Sequence, residues 1–236
     1  MGSTITIAAA DGSGSFAAYV AKPKTLPAPA ILVIQEIFGV NADMRAKCDA
    51  FAAQGYIAVC PDLFWRQEPG IDITDKSEAE WARAMDLLNG FDNDKGIGDL
   101  KSTLSVIRDM DDCTGKVGCV GYCMGGKLAY LMAARSPVDA SVGYYGIQLD
   151  QFANEASGIR NPTLLHMAEL DQFFPAAARQ KALSHFENFS VIFAFVYPGV
   201  DHAFARINGE HYDEAAATLA NQRTDAFFAK HLKGRA

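Results

Sequence analysis

The stretch KVGCVGYCMGG at residues 116–126 says most about the fold of this chain. Its apolar, β-branched beginning predicts a buried strand, and LAYLMAA at residues 128–134 predicts a helix directly after it. The Gly-x-Cys-x-Gly turn between them has the strand–turn–helix context of a nucleophile elbow, with the thiol of Cys123 where serine is more usual. Side chains at positions 121 and 125 would collide with neighbouring backbone in so sharp a turn, which explains both glycines. At the start of the helix, the positive end of the helix dipole favours a thiolate at Cys123 and any anion formed beside it.

The composition suits a globular α/β protein and excludes several classes of partner. Half of the 236 residues are hydrophobic, enough for one large domain or two small ones, and we expect a single domain over residues 1–236. The net charge of -7 argues against a general affinity for nucleic acid or for an anionic membrane. No apolar run approaches the roughly 18 residues that cross a bilayer, and the N-terminus lacks the basic and apolar regions of a signal peptide.

The five cysteines, at positions 48, 60, 113, 119 and 123, do not form the pattern of a disulfide framework. Their odd number and the lack of paired spacings favour a reducing cytoplasm. Cys119-x-x-x-Cys123 differs from the redox CxxC motif, and we expect Cys119 to face into the sheet as a small apolar residue. Because no histidine–cysteine spacing suits a metal ion, we expect no metal site.

Predicted strands and helices alternate along the whole chain. The turn-rich DGSG at residues 11–14 separates two alternating segments and predicts an N-terminal hairpin. The continuous apolar run AILVI at residues 30–34 is typical of a strand buried on both faces of a parallel sheet. Further strands are predicted near residues 56–60, 116–121, 141–145, 163–167 and 191–197, and helices near 42–54, 77–89, 95–110, 123–135, 176–187 and 211–232. The simplest architecture is one doubly wound α/β sheet, mostly parallel, that begins with an antiparallel hairpin.

A cysteine nucleophile requires a base, and the base requires an orienting group. His202 and Asp171 each follow a predicted strand, and the order nucleophile, acid, histidine is that of α/β-hydrolases. Because the carboxyl ends of parallel strands open on one crevice, we expect the three side chains to meet there. Asp201 competes as the orienting group but adjoins His202 and would usually point away from its ring, and Glu169 is the next rival. His166 lies inside an apolar strand, where we expect a core residue.

The stretch QEIFGVN at residues 35–41 directly follows the strand at residues 30–34. In α/β-hydrolases the loop in this region supplies one backbone N–H of the oxyanion hole, for which Ile37 is the candidate, and the residue after the nucleophile, here Met124, supplies the other. Glu36 draws attention at the strand end because a buried carboxylate is costly unless it is paired or protonated. A salt bridge within the loop is the alternative explanation of Glu36.

Taken together, these motifs resemble those of the dienelactone hydrolase family. The matching segments extend over nearly the whole chain and are QEIFGVN at 35–41, VCPDL at 59–63, GCVGYCMGG at 118–126, GYYG at 143–146 and HAFAR at 202–206. The resemblance implies a monomeric α/β-hydrolase that opens an enol-lactone ring in the degradation of catechol or chlorocatechol. It also implies that no metal and no diffusible cofactor takes part.

The same resemblance assigns catalytic roles. It implies that Cys123, His202 and Asp171 form a triad and that the thiol is largely neutral at rest and turned toward Glu36. Substrate then displaces Glu36, which accepts the thiol proton, and the thiolate attacks the lactone carbonyl. The N–H groups of the oxyanion hole hold the resulting anion, and His202 activates the water that releases the acid from the thioester.

The substrate pocket departs from the family pattern. The characterised family members of the chlorocatechol pathway hold the dienelactone carboxylate between two arginines; by this resemblance Arg206 matches the one after the histidine, whereas Trp81 stands in place of the other. Trp81, Met85 and Leu88 recur at helical spacing and form either core packing or a more apolar substrate wall. The serine that often follows the histidine is Ala203 here. Our candidates for substrate contacts are Arg206, Phe38, Trp81, Met85, Leu88, Tyr145 and Ala203.

Two other functions stay open on the sequence alone. A thiol redox or stress protein would pair Cys123 with Glu36, but such a sensor needs no base for deacylation, so Asp171 and His202 argue against it. A related carboxylesterase or thioesterase would use the same residues on a larger or more apolar ester.

Overall fold

The computed structural model describes residues 2–234, which divide between Val117 and Gly118 into two compact units. The first unit holds strands β1 (Ser3–Ala8), β2 (Ser15–Ala21), β3 (Ala28–Ile34) and β4 (Ile57–Pro61) and helices α1 (Ala42–Ala53), α2 (Glu78–Asn89) and α3 (Asn93–Arg108). Strand β5 (Cys113–Tyr122) leads into the second unit, which continues with strands β6 (Ala140–Tyr144), β7 (Thr163–Ala168) and β8 (Ile192–Tyr197), helices α4 (Met124–Arg135), α5 (Ala176–Phe186) and α6 (Glu214–Lys233), and a 3-10 helix over Ala153–Gly158.

The first unit begins with the predicted antiparallel hairpin. Strand β1 pairs with β2 so that Ile5 lies opposite Ala18, and β2 in turn pairs antiparallel with β4. Strand β3 runs parallel to β4, with Leu32 opposite Val59. Every residue of β4 and every residue of β3 except Pro29 is buried. This confirms that the continuous apolar run at residues 30–34 forms a strand covered on both faces.

In the second unit, β5, β6, β7 and β8 are consecutive neighbours and all run parallel. Successive side chains of β5 point to opposite faces of the sheet. A Cβ at Gly118 would lie 2.8 Å from the ring of Phe228 in α6, whereas the Cys119 sulfur lies 3.9 Å from the Ala129 carbonyl oxygen in α4. Helices therefore cover both faces here, as a doubly wound sheet requires. Cys119 is fully buried, which confirms its place in the core.

The predicted fold class is confirmed, with a mostly parallel α/β sheet and an antiparallel start; the single domain over residues 1–236 stays a prediction. Two local features differ from expectation. Helix α6 begins at Glu214 rather than near residue 211, because the Asp213 side chain accepts the Ala216 N–H at 2.8 Å and caps the helix there. The 3-10 helix was not predicted because its sequence, ANEASG, has no apolar periodicity. Within residues 2–234, no helix combines the length and apolarity needed to cross a bilayer.

Candidate active site

The turn between β5 and α4 has the strained geometry of a nucleophile elbow. Cys123 adopts φ 56° and ψ -117°, and a non-glycine residue in such a region costs of order 1–3 kcal/mol, so the surrounding structure must hold it. The Cys123 N–H donates to the Tyr144 carbonyl oxygen at 3.0 Å. Its own carbonyl oxygen accepts from the N–H groups of Gly126 at 2.9 Å and Lys127 at 3.2 Å. These bonds fix the thiol at the first residue before the helix.

Two glycines beside the elbow leave no room for a side chain. A Cβ at Gly121 would lie 1.8 Å from the Gly125 carbonyl oxygen, so the predicted requirement for glycine at 121 is confirmed. A Cβ at Gly126 would lie 2.4 Å from the Tyr144 carbonyl oxygen, where α4 crosses close to β6. The requirement at Gly126 was not predicted, because it arises from a neighbouring strand rather than from the turn itself.

The side chains of His202 and Asp171 form a buried pair. Nδ1 of His202 lies 2.9 Å from Oδ2 of Asp171, and the two residues are 4% and 4% exposed. Asp171 belongs to the loop after β7 and His202 to the loop after β8, so the parallel pairing of these strands brings their carboxyl ends together. The other oxygen of Asp171 accepts the Phe173 N–H at 2.9 Å, which fixes the carboxylate against rotation.

Neither rival carboxylate is placed to orient the imidazole. Oδ1 of Asp201 accepts the backbone N–H of His202 at 2.6 Å and that of Gln172 at 3.3 Å. Oε2 of Glu169 accepts the Gly199 N–H at 2.8 Å. Both carboxylates therefore tie the loops after β7 and β8 to each other, and Asp171 is the one that faces the ring.

The electrostatic surroundings of His202 favour its charged form. Burial by itself lowers the pKa of His202, but the charge and hydrogen bond of a Cys123 thiolate, together with the hydrogen bond and charge of Asp171, outweigh it and raise the pKa to about 10. Nε2 of the ring is buried and has no nitrogen or oxygen partner among the described residues. The Cys123 sulfur acts on this ring through both its charge and a hydrogen bond. Nε2 is therefore the ring atom that can exchange a proton with the thiol.

Two aromatic rings enclose the imidazole edge to face. The ring centroid of Tyr145 lies 5.1 Å and that of Phe173 4.8 Å from the centroid of His202. Tyr145 is buried with a positive φ of 37°, whereas Phe173 is 41% exposed. Tyr145 was a predicted substrate residue, but Phe173 was missed. The position of Phe173, two residues after Asp171, was the feature of the sequence that could have indicated its contact with the site.

The predicted oxyanion-hole residues lie at the starts of the expected segments. Met124 is the buried first residue of α4, where helical N–H groups lack partners within the helix. In the first unit, Glu36, Ile37 and Phe38 follow β3 and are all buried. The Gln35 side chain holds this segment, since its oxygen accepts the Leu63 N–H at 2.9 Å and its amide nitrogen donates to the Glu36 carbonyl oxygen at 3.3 Å.

The candidate substrate residues of the first unit form an aromatic contact. The rings of Phe38 and Trp81 pack edge to face at 5.3 Å, and Trp81 Nε1 donates to the Asp75 carbonyl oxygen at 3.1 Å. Trp81, Met85 and Leu88 are half-buried along one side of α2. The fully buried residues of this helix are instead Ala84 and Leu87. The stripe is therefore not the main core face of α2.

In the second unit, Ala203 and Arg206 lie in one turn directly after the histidine. The Arg206 N–H donates to the Ala203 carbonyl oxygen at 2.9 Å, and Ala203 has a positive φ of 63°. Both residues are largely buried. Arg206, four residues after His202 in the sequence, is the positively charged residue of this turn.

The described residues offer no metal site. Between residues 2 and 234, no three His, Cys, Asp or Glu side chains converge as metal ligands would. His166 is a fully buried core residue, as predicted, with Thr224 Oγ1 3.0 Å from Nε2 and the Tyr197 hydroxyl 2.8 Å from Nδ1. Burial, with a smaller effect of Arg223, lowers the pKa of His166 to about 3 and keeps it neutral.

Solved structures share this architecture. A protein from Klebsiella pneumoniae, provisionally titled a dienelactone hydrolase, matches with a TM-score of 0.82 at 25% identity over 98% of this chain and 99% of that chain. The α/β hydrolase GrgF from Penicillium matches with a TM-score of 0.72 at 12% identity, over 99% of each chain. The fold is that of an α/β-hydrolase.

Sequence comparison places the chain in one family of α/β-hydrolases. The pattern of the dienelactone hydrolase family matches residues 16–232. A carboxymethylenebutenolidase of Pseudomonas putida is 41% identical over 225 residues, covering 95% of each chain. A protein of Azospirillum brasilense with a provisional carboxymethylenebutenolidase name is 54% identical over 230 residues, covering 97% of this chain and 98% of that protein. The chain belongs to the dienelactone hydrolase family and is a hydrolase of that type.

Proposed function

We propose that this chain opens a lactone of the dienelactone type by nucleophilic catalysis through Cys123, with an acyl-thioester intermediate. The observation that carries the proposal is the buried imidazole of His202, whose Nδ1 lies 2.9 Å from Asp171 and whose Nε2 has no nitrogen or oxygen partner among residues 2–234. The charge of the Cys123 thiolate is the largest effect that raises the pKa of this ring. Acylation of the sulfur removes that charge, so the ring of the acyl-enzyme can lose its proton and act as the base. A thiol redox protein would not require this pair, and its presence argues against that alternative.

In the proposed reaction, the Cys123 sulfur attacks the lactone carbonyl carbon, and the π electrons move onto the oxygen. We assign the backbone N–H groups of Ile37 and Met124 as donors to this oxyanion. Collapse of the intermediate breaks the ring C–O bond, leaves the acyl group on sulfur and releases an enolate oxygen that takes up a proton. His202 then removes a proton from water, the water oxygen attacks the thioester, and the thiolate leaves.

We further propose that Glu36 accepts the thiol proton when substrate binds. Glu36 is buried at the end of β3, where a carboxylate is costly unless it is paired or protonated. A thiol that stays protonated until substrate arrives resists oxidation and alkylation. Glu36→Gln should therefore slow the acylation burst with 4-nitrophenyl acetate more than it slows steady-state deacylation. A burst as fast as that of the unaltered enzyme would remove Glu36 from the mechanism.

The proposed substrate is an enol-lactone, with a role in the degradation of catechol-type aromatic compounds. The names of the relatives assign that lactone chemistry to them, and Arg206 supplies one cation for an anionic substrate. A second candidate, an ester or thioester with a more apolar acyl group, is favoured by the contact between Phe38 and Trp81 and by the half-buried Met85 and Leu88. Tyr145 and Ala203 complete the set of proposed substrate contacts.

A comparison of substrates tests this proposal. Initial rates are measured on cis- and trans-dienelactone, 4-nitrophenyl acetate and a longer aryl ester, each with the unaltered enzyme and with Cys123→Ala. Hydrolysis of a dienelactone that Cys123→Ala loses supports the lactone proposal. A strong preference for the uncharged longer ester supports the second candidate. Turnover that survives in Cys123→Ala would refute the nucleophile.

We also propose that the protein acts as a monomer on a diffusible small molecule in the cytoplasm. Its five cysteines are free, which suits a reducing compartment. The net charge of -7 disfavours nucleic acid and anionic membranes as partners. Light scattering after size exclusion should give a mass near 25.4 kDa; twice that mass would contradict the monomer.

A further inference from the structure

Helix α4 carries a buried lysine that the proposed reaction does not use. Lys127 lies four residues after Cys123 and is only 3% exposed. Its ammonium has one hydrogen-bond partner among the described residues, the side-chain oxygen of Gln148 at 3.2 Å. Gln148 is neutral, so the Lys127 charge has no counter-ion within ion-pair distance in residues 2–234.

Two features make this position unfavourable for a cation. A buried ammonium loses its hydration and is usually paired with an anion. The first turn of a helix is its positive end, which repels cations. Gln148, the one partner among the described residues, is itself exposed between the buried Ile147 and Leu149, and it holds a positive φ of 58°, a conformation uncommon for a residue with a side chain. Packing alone would be served better by an uncharged side chain of similar length.

The group that can carry an offsetting negative charge is Cys123, once its sulfur is a thiolate. The Lys127 N–H donates to the Cys123 carbonyl oxygen at 3.2 Å, so the two residues occupy adjacent turns. Helical side chains lean toward the N-terminus, which directs the Lys127 stem toward the thiol end of α4. Burial lowers the pKa of Lys127, and a negative charge on Cys123 acts in the opposite direction.

Besides Glu36, the proposed acceptor of the thiol proton, the charged groups that act on this pair belong to the described part of the second unit. His202 acts on Cys123 from the loop after β8, and Asp171 acts through that ring from the loop after β7. Gln148, from the loop after β6, contributes a neutral amide to Lys127. Lys127 is thus a second positive charge beside the thiol, independent of the imidazole.

We propose that Lys127 is a positioning residue that stabilises negative charge on the Cys123 sulfur, both before attack on the ester and when the thiolate leaves the thioester. The inference rests on the proposed nucleophilic role of Cys123. The lysine does not touch the substrate and exchanges no proton; it acts through the sulfur by charge alone. Gln148 keeps the ammonium oriented but leaves its positive charge intact. A carboxylate at the same place would neutralise that charge.

The test compares Gln148→Glu with Gln148→Ala, since residue 148 is exposed and both variants should fold. The rate of Cys123 alkylation by iodoacetamide is followed against pH by intact mass. The carboxylate of Gln148→Glu would lie beside the Lys127 ammonium and offset its positive charge. The pH profile of Cys123 alkylation should then move to higher pH, and the alkylation rate at pH 7 should fall about three- to tenfold. Alanine keeps the lysine charge, and its profile should stay close to that of the unaltered protein.

Lys127→Met, which keeps the apolar stem and removes the charge, should reproduce the Gln148→Glu shift, and the double variant should show no further shift. If Gln148→Glu and Gln148→Ala give the same alkylation profile as the unaltered protein, the inference is overturned, whether or not Lys127→Met folds. Failure of the proposed function has a different signature, because Cys123→Ala would then retain ester turnover while the alkylation shifts persisted.

Discussion

Nδ1 of His202 lies 2.9 Å from Oδ2 of Asp171, and the second oxygen of that carboxylate is held by the Phe173 N–H. The pair fixes both the orientation of the imidazole and the nitrogen that carries the proton. Asp201, although it is the sequence neighbour of the histidine, bonds among residues 2–234 to backbone N–H groups of the two loops. The two aspartates therefore have different roles: Asp171 orients the His202 ring, and Asp201 connects the two loops.

Asp171→Asn should reduce kcat for 4-nitrophenyl acetate by roughly 10²- to 10⁴-fold, because the amide cannot stabilise the imidazolium and can select the wrong tautomer. Asp201→Asn is the matched control and should retain most of kcat, with a loss of stability instead. Steady-state rates and urea unfolding on both variants separate the two effects. Equal losses of kcat would mean that the orienting role is shared or misassigned.

The stability of the fold should depend on pH through His202. Beside a Cys123 thiolate and Asp171, its pKa is raised from 6.5 to about 10 in the folded protein, so the protonated ring stabilises the folded state. This contribution is complete below about pH 6.5 and is lost as the pH rises toward 10. The free energy of unfolding, measured by urea between pH 6 and pH 10, should fall more steeply for the unaltered protein than for His202→Asn. Parallel curves would argue against the raised pKa.

Phe173→Ala should reduce kcat/KM by about two- to tenfold, because the edge-to-face contact of its ring with His202 is worth about 0.5–1.5 kcal/mol. Phe193, another exposed phenylalanine, lies on β8 and serves as the control, since Phe193→Ala should leave kcat/KM near the original value. The measurement is kcat/KM on one aryl ester for all three proteins. An unaffected Phe173→Ala would show that Tyr145 alone is sufficient to hold the ring.

Gly121→Ala should destabilise the fold by about 3 kcal/mol or more, since its Cβ would overlap the Gly125 carbonyl oxygen and backbone would have to move. Gly98→Ala offers the contrast: it lies in α3 with nothing within 4 Å of an added Cβ, and alanine should be neutral or stabilising by up to about 1 kcal/mol. Urea unfolding of both variants checks the prediction. A Gly121→Ala protein as stable as Gly98→Ala would mean that the elbow is looser than its geometry indicates.

Trp81→Arg should raise kcat/KM selectively for anionic lactones if the apolar wall of α2 limits the substrate range. The change adds a cation but removes the hydrogen bond from Trp81 Nε1 to the Asp75 carbonyl oxygen and the contact with Phe38. Trp81→Leu removes the same two contacts without adding charge and is the control. The ratio of rates on trans-dienelactone and 4-nitrophenyl acetate should rise in Trp81→Arg alone. A similar ratio in both variants would show that charge at position 81 does not select the substrate.

Much of the fold could be predicted because its signals are local. Apolar runs and turn residues each act within a few residues, and α2 begins at Glu78, close to the predicted start near residue 77. The order of Cys123, Asp171 and His202 along parallel strands likewise follows from topology. These signals survive in a single sequence because they do not depend on distant contacts.

The features that were missed depend on contacts between segments far apart in the chain. Gly126 is required because the Tyr144 backbone passes close to it, and Lys127 depends on Gln148, 21 residues later. Phe173 could have been noticed beside Asp171, but its ring contact with His202 comes from the folding of two loops. No pattern of apolar periodicity encodes such pairings, so they emerge only with the tertiary structure.

The most direct measurement is the mass of the protein quenched in acid during turnover of 4-nitrophenyl acetate. We expect one acetyl group on Cys123 in the unaltered enzyme, a larger acetylated fraction in His202→Asn because deacylation loses its base, and none in Cys123→Ala. An ester turned over at full rate with no acyl group on residue 123 would contradict nucleophilic catalysis by this thiol.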